Sequence, residues 1–138
     1  MRRVVAALLL VLPLAGCAAS PASGPRPSAG QGTATAASYT YVLESSCGER
    51  ALLGRYAVTV KDARVTEVED LATHAPAADY VAAYVPTIDA LTDRAASEHP
   101  SELAYDPGTG MLTAVRFEGD PNAIDDEECY VVSAYSPT

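Results

Sequence analysis

The sequence predicts an α+β fold, a small antiparallel β-sheet of about five or six strands with one face covered by a single helix. Two observations support this fold class. Residues that alternate at strand period flank turn signals in both halves of the folded region. Between them the period changes to that of an amphipathic helix, over residues 87–98. The predicted order is strand, hairpin, helix, hairpin, strand.

Two of the three cysteines lie beside the first and last predicted strands. Cys47 follows the alternating residues 39–43, and Cys129 opens the strand-like run 130–135. If these strands are antiparallel neighbours, both cysteines lie at the same edge of the sheet. A bond between them in an oxidising compartment would close an ~80-residue loop and stabilise the fold by roughly 4 kcal/mol. We predict this disulfide, and two free thiols are the alternative.

Two predicted hairpins flank the helix. In the first, strands at 56–60 and 65–68 join at Asp62-Ala63. A two-residue turn of this kind prefers Gly at its second position, so Ala63 predicts backbone strain or a different turn. The second hairpin turns at residues 106–110, where Asp, Pro, Gly, Thr and Gly form a dense turn signal.

The predicted helix has recognisable ends and two distinct faces. Thr87 caps its start, and His99-Pro100 stops it. Its apolar face is formed by Ile88, Leu91 and Ala95, and its charged face by Asp89, Asp93 and Arg94. The preceding residues 71–85 are interpreted either as a short helix or as a packed loop.

The N-terminal segment predicts a lipoprotein signal peptide. Arg2 and Arg3 precede an apolar run over residues 4–14, which is the pattern of a secretory signal and is shorter than the roughly 20 residues of a membrane span. The run ends in Leu-Ala-Gly-Cys17, which resembles the lipobox of bacterial lipoproteins. This resemblance implies cleavage before Cys17 and lipidation of its thiol. An ordinary signal peptide with a chance cysteine is the alternative.

Residues 18–38 predict a disordered tether. They are almost entirely Ala, Gly, Pro, Ser and Thr, with one charge at Arg26, and this composition cannot bury enough surface to offset the entropy of ordering. A flexible coil of this length would reach about 25 Å. The predicted organisation is a signal peptide over 1–16, lipidated Cys17 and tether over 17–38, and one domain over 39–138. The lipid makes the membrane a partner and places the domain on its extracytoplasmic face.

The predicted domain is strongly acidic. The chain has nine Lys and Arg against eighteen Asp and Glu, and all the acidic residues but only six of the basic ones lie beyond residue 38. Residues 39–138 therefore carry a net charge of −12. A nucleic-acid binder needs a basic face, so the charge argues against a nucleic-acid partner.

The acidic segment 120–128 is the candidate metal site. Oxygen ligands at this density suit a hard cation such as Ca²⁺, and the candidate ligands are Asp120, Asn122, Asp125 and Asp126. The segment lacks the EF-hand pattern, since Ile124 occupies the fifth position. The other interpretation is a solvated turn that Asp120 caps and Pro121 begins. We expect no cofactor, and a calcium-dependent binding module is an alternative function.

Six of the eight tyrosines fall in predicted strands: Tyr39, Tyr41, Tyr56, Tyr105, Tyr130 and Tyr135. Aromatic residues on strands usually pack in the core or pair across strands. If several shared the uncovered face of the sheet, they would instead form a recognition platform. The choice depends on the register of the strands.

The order of five short motifs resembles that of a known family. The motifs are YTYVL, GRYAVTVKDARV, PTIDAL, YDPGTG and DPNAIDDE. In this order they are similar to a bacterial family of secreted proteins and lipoproteins, domain-of-unknown-function family 6174. The resemblance covers residues 39–137 and implies the same order of elements and the same location, and it brings no catalytic residue or ligand.

No motif in the sequence predicts catalysis. His74 falls in a predicted loop and His99 at the helix end, and there is no nucleophile elbow, His-x-x-x-His pair or phosphate-binding glycine loop. We therefore predict a non-enzymatic, lipid-anchored envelope protein that acts by binding or as a structural component. Its expected partner is an envelope protein or the cell wall. Inhibition of a secreted enzyme is a further alternative.

Overall fold

The computed structural model describes residues 34–120, 122–123 and 125–138, and these form one antiparallel sheet with two helices. The strands are β1 (Tyr39–Ser45), β2 (Gly54–Lys61), β3 (Arg64–Asp70), β4 (Ala75–Pro76), β5 (Glu102–Tyr105), β6 (Leu112–Phe117) and β7 (Glu128–Pro137). The helices are α1 (Asp79–Ala82) and α2 (Ile88–Glu98). The strand order across the sheet is β4-β3-β2-β1-β7-β6-β5. The predicted signal peptide, Cys17 and residues 18–33 of the tether lie outside the described residues.

The predicted antiparallel sheet and order of elements are confirmed, and the sheet has seven strands where about five or six were predicted. The described residues form seven strands and two short helices, so the domain is mainly β. The additional strand β4 has two residues and pairs with the end of β3, and α1 is a single turn inside residues 71–85, where the sequence left a short helix or a packed loop open. Neither element is long enough to produce a periodic signal in the sequence.

Helix α2 covers one face of the sheet, as its apolar period predicts. Its N-cap Thr87 accepts a hydrogen bond from the backbone N–H of Ala90 at 3.1 Å, and His99 ends it in the left-handed conformation with φ of 55°. Ile88 and Leu91 are each 1% exposed, and burial of one such side chain stabilises a fold by roughly 1.5–3 kcal/mol. Within the described residues, no helix combines the length and the apolar character needed to cross a membrane.

The strand tyrosines lie on the core side of the sheet, so the interpretation as core residues is confirmed. Four of them are buried in the core: Tyr39, Tyr41, Tyr56 and Tyr130. The other two, Tyr105 and Tyr135, are partly buried and pack against it. The hydroxyl of Tyr41 donates to the Pro86 carbonyl, and that of Tyr39 accepts from the Ile88 N–H at 3.1 Å. Burial raises the pKa of Tyr41. These phenols therefore join β1 to the start of α2, and the other face of the sheet presents no strand tyrosine among the described residues.

The folded unit begins earlier than the composition predicts. Thr35 donates from its backbone N–H and its hydroxyl to the Asp89 carboxylate, at 3.1 and 2.5 Å. The Ala36 N–H donates to the Tyr135 hydroxyl at 3.1 Å, and the Ser38 carbonyl accepts from the Thr138 N–H at 3.1 Å. These contacts are made by residues that precede the predicted boundary at residue 39. Composition reports on side-chain burial, whereas these contacts are made mostly by backbone groups.

The turn between β2 and β3 has a strained backbone, which is one of the two alternatives predicted from Ala63. Asp62 and Ala63 both have positive φ, 49° and 60°, the combination that a type I′ turn requires. An alanine in this left-handed region costs roughly 1–2 kcal/mol. The turn is also tied to the chain start, since the Ala63 N–H donates to the Ala37 carbonyl at 2.7 Å.

Candidate functional site

The predicted disulfide between Cys47 and Cys129 is confirmed, and it organises one end of the sheet. Strands β1 and β7 are antiparallel neighbours, which brings the two Cα atoms to 5.3 Å. Residues 46–53, which join β1 to β2 and are here called the 46–53 loop, pack against the residues that precede β7. Within this loop the Glu49 N–H donates to the Asp125 carbonyl at 2.8 Å, and Gly48 lies so close to the Glu127 carbonyl that a Cβ would collide with it.

The disulfide brings an arginine of the loop onto a glutamate of β7. Arg50 Nη1 lies 2.5 Å from Glu128 Oε2 and donates to the Tyr130 hydroxyl at 2.8 Å. Its Nη2 donates to Ser45 Oγ at 3.2 Å. The guanidinium also packs over the Tyr130 ring, 4.8 Å from the ring centroid. Arg50 is therefore held in one orientation by a carboxylate, two hydroxyls and an aromatic face.

A second arginine reaches the same glutamate from helix α2. Arg94 donates to both carboxylate oxygens of Glu128, from Nη1 at 2.7 Å and from Nη2 at 3.0 Å. Its Nε donates to Glu98 at 2.8 Å, and its guanidinium lies 3.9 Å from the centroid of the Phe117 ring. Arg94 was predicted on the charged face of α2, and its side chain is 32% exposed because it extends toward the sheet to reach Glu128. We refer to Arg50, Arg94, Glu128 and Tyr130 as the arginine–glutamate cluster.

The protonation states of the cluster follow from these contacts. Burial acts to raise the pKa of Glu128, but hydrogen bonds from Arg94 and Tyr130 and the charges of both arginines lower it to about 2. Burial and the hydrogen bond to Glu128 raise the pKa of Tyr130. A group works best as a general acid or base when its pKa lies near the working pH. At neutral pH the cluster is thus a fixed set of charges, which suits recognition better than proton transfer.

The cluster lies in a groove between α2, the 46–53 loop and the start of β7. The cavity has a volume of about 540 Å³, within the usual range of small-molecule sites. Leu52 and Leu91 form its buried apolar walls, Pro86 and Ala90 extend them, and Tyr84 stands exposed at its rim. We call this cavity the α2 groove.

Three of the four candidate metal ligands of the acidic segment hydrogen-bond to one another, and the fourth, Asp125, bonds to the 46–53 loop. Asp120 Oδ1 accepts from the backbone N–H and the side-chain amide of Asn122 at 2.9 and 3.0 Å, and the first of these bonds is the main cause of its lowered pKa. The Asp126 carboxylate accepts a hydrogen bond from the Asp120 N–H at 2.5 Å. The backbone carbonyl of Asp125 accepts one from the Glu49 N–H. These bonds fit the interpretation as a turn that Asp120 caps, whose predicted first residue, Pro121, lies outside the described residues.

The candidate ligands do not converge on a cation site in the described part of the chain. There, no group of three or more His, Cys, Asp or Glu side chains is placed to hold a metal ion. Pro121 and Ile124, which belong to the same segment, lie outside the described residues. The two histidines are also apart from the groove: His74 Nδ1 lies 3.4 Å from Glu69, and His99 ends α2.

Sequence reasoning missed the cluster, although one signal for it was present. Arg50 lies three positions after Cys47 and Glu128 immediately before Cys129, so the predicted disulfide already requires that these two charges be close. Arg94 had no such signal, since its position on α2 is compatible with solvent. Glu128 was counted with the acidic segment because its sequence neighbours are acidic.

Comparison with protein-family models identifies the family of this chain. Residues 32–137 match the family of unknown function DUF6174. The chain belongs to this family. The DUF6174 match covers the described domain up to residue 137, starts just before Thr35, which binds Asp89, and so confirms the resemblance carried by the five motifs. The search of curated proteins found no match, and neither did the search of solved structures. Membership of DUF6174 assigns no activity, and the function must therefore be argued from the α2 groove.

Proposed function

We propose that this protein is a lipoprotein, anchored through Cys17 to the extracytoplasmic face of the cell membrane, and that its domain acts by binding a ligand in the α2 groove. The anchor rests on the charged start, the short apolar run and the lipobox-like Leu-Ala-Gly-Cys17 sequence. The binding role rests on the groove. The protein is proposed to be non-catalytic.

The observation that carries the binding role is the composition of the groove. Ligand sites are typically concave and mostly apolar, with a few polar groups held in fixed positions. The α2 groove combines apolar walls at Leu52 and Leu91 with the ionic contacts of Arg50, Arg94 and Glu128. Both guanidiniums are immobilised by aromatic packing and by the shared carboxylate. Such a site loses little conformational entropy when a ligand binds.

Photo-crosslinking in intact cells tests this binding role without knowledge of the ligand. Benzoylphenylalanine is placed at Ala90 in the groove and, as a matched control, at Ser133, an exposed position of β7 outside the groove. We expect a defined adduct from position 90 that position 133 does not form. Equal adducts from both positions, or no adduct from either, would contradict the proposal.

The anchor is tested by Cys17→Ser. We expect loss of labelling by radioactive palmitate and release of the protein from the membrane fraction, because the thiol is the proposed site of acylation. The control is the double variant Cys47→Ser with Cys129→Ser, which should keep its lipid label. Unchanged membrane association of the Cys17→Ser variant would refute the anchor.

A further inference from the structure

We infer that the ligand of the α2 groove is an anionic amphiphile, a small molecule with one carboxylate or phosphate group on an apolar body. Its head group would bind the guanidiniums of Arg50 and Arg94, and its body would lie along Pro86, Ala90 and Tyr84. This inference rests on the proposed function, because it names the class of ligand for the same groove.

The first argument is the charge of the groove lining. Its charged residues are Arg50, Arg94 and Glu128, so two cations face one anion in a domain whose net charge is −12. Three other basic residues pair with carboxylates outside the groove: Arg55 with Glu44, Lys61 with Glu67, and Arg116 with Glu118 and Glu127. The groove lining therefore has one more cation than anion, and Glu98, which also pairs with Arg94, lies outside that lining.

The second argument is the hydrogen-bonding capacity that remains in the cluster. Among the described residues, Arg94 uses three of its N–H groups, one toward Glu98 and two toward Glu128. A guanidinium has about five such donors and no acceptor, and its planar fork suits carboxylate and phosphate groups. The Glu128 oxygens are already occupied by Arg94, Arg50 and Tyr130. A ligand head group must therefore be an acceptor, and it is favoured when it is an anion.

The third argument is the apolar surface beside the charges. Leu52 and Leu91 are buried under the groove, and Pro86 and Ala90 continue the wall toward the exposed ring of Tyr84. An inorganic anion would leave this wall uncovered. A hydrocarbon body gains roughly 0.8 kcal/mol for each CH₂ group that it buries, so the groove favours an amphiphile over a bare ion.

The test uses the ¹⁵N-labelled, lipidated full chain in phosphatidylcholine nanodiscs, with amide shifts of Ala90 and the Arg94 Nε–H signal as the readout. The probes are hexanoate, hexyl phosphate, hexanol, hexylammonium, acetate and inorganic phosphate, with empty nanodiscs as the control for partitioning. We expect hexanoate or hexyl phosphate to bind roughly tenfold or more tightly than hexanol, as charge-assisted bonds imply. The two anions distinguish a carboxylate ligand from a phosphate ligand.

Three variants locate the head group. Glu128→Gln removes the competing carboxylate and should tighten binding of the anionic probe, a gain that misfolding cannot produce. Arg94→Gln should weaken it by roughly tenfold. The matched control Arg116→Gln removes an arginine outside the groove and should leave the affinity unchanged.

The outcomes separate this inference from the proposed function. Equal binding of hexanol or hexylammonium, or weaker anion binding in Glu128→Gln, would refute the anionic head group. Binding of acetate or inorganic phosphate as tightly as the hexyl probes would refute the apolar body. If no probe binds while Ala90 still gives its defined crosslink, the anionic amphiphile is refuted and the groove remains a binding site. Absence of that crosslink would refute the proposed function itself.

Discussion

Glu128 and the acidic residues just before it are neighbours in the sequence and have opposite environments in the fold. The Glu128 carboxylate is half-buried and is bound by Arg94, Arg50 and Tyr130, which come from a helix, a loop and its own strand. Asp120 and Asp126 are exposed, and their carboxylates accept from backbone N–H groups of the same turn. One carboxylate joins distant elements, and the others close a local turn.

The difference shows that a high density of carboxylates in a sequence is not evidence of a site. Adjacent like charges repel and are most stable in water, so such a segment forms an exposed turn with its own backbone. Glu128 differs from these residues because Arg50 and Arg94 supply groups of complementary charge. Changes to the disulfide, to Glu128 and to the acidic turn test this contrast.

The double variant Cys47→Ser with Cys129→Ser should have the largest effect, because the disulfide fastens the loop with Arg50 to the strand with Glu128. Its cysteines are 82 residues apart, and a crosslink over such a loop contributes about 4 kcal/mol in the chain-entropy model. We expect the free energy of unfolding, measured in urea by circular dichroism, to fall by about this amount. A loss below about 1 kcal/mol would show that the loop is held mainly by its backbone bonds.

Glu128→Gln should have the next largest effect on stability. Since the folded pKa of about 2 lies below the ordinary value of 4.5, the carboxylate contributes its full stabilisation above about pH 4.5 and loses it as the pH falls toward 2. Wild type should lose about 3 kcal/mol from this group across that window. The Glu128→Gln variant should not show this loss of stability between about pH 4.5 and pH 2, measured by urea unfolding at each pH.

The matched control for this experiment is Glu98→Gln. Glu98 pairs with the same arginine but is largely exposed, and an exposed pair on a helix contributes about 0.3–0.5 kcal/mol. If Glu98→Gln and Glu128→Gln changed the pH dependence equally, the distinction between the two environments would be wrong.

Asp120→Ala should have a smaller effect than Glu128→Gln. It removes the acceptor of the two Asn122 bonds from an exposed turn, so we expect a lower Tm in thermal unfolding but no change in the anion affinity of the groove. Asp120→Asn, which keeps the acceptor and removes the charge, should preserve the Tm. A fall in Tm with both variants would mean that the charge, and not the cap, stabilises the turn.

Addition of Ca²⁺ should have the smallest effect. Because the carboxylates of Asp120 and Asp126 already accept bonds within the turn, we expect the same Tm with Ca²⁺, with Mg²⁺ and with neither. Asp125→Ala and Asp126→Ala should then leave the response to Ca²⁺ unchanged. A rise in Tm that is specific to Ca²⁺ and lost in these variants would support the calcium-dependent alternative.

The elements that could be predicted are those whose signals lie within a few residues of one another. Thr87 and His99 marked the ends of α2 because capping and left-handed stops are local chemistry. Asp62-Ala63 marked a turn and its strain for the same reason. Three features could not be predicted in this way. Strand β4 is too short to show a periodic pattern, helix α1 was only one of two alternatives for residues 71–85, and the composition around Thr35 does not indicate its contacts.

By itself, the sequence determined the order of strands and helix, the apolar face of α2 and the pairing of Cys47 with Cys129. These follow from periodicity, turn chemistry and the geometry of antiparallel neighbours. Only the tertiary structure decided the surroundings of Arg94 and Glu128, which are 34 residues apart. A charged side chain has the same local pattern whether it faces water or a distant partner, so its environment depends on how α2 packs on the sheet. That packing turned one acidic residue among eighteen into the centre of the candidate site.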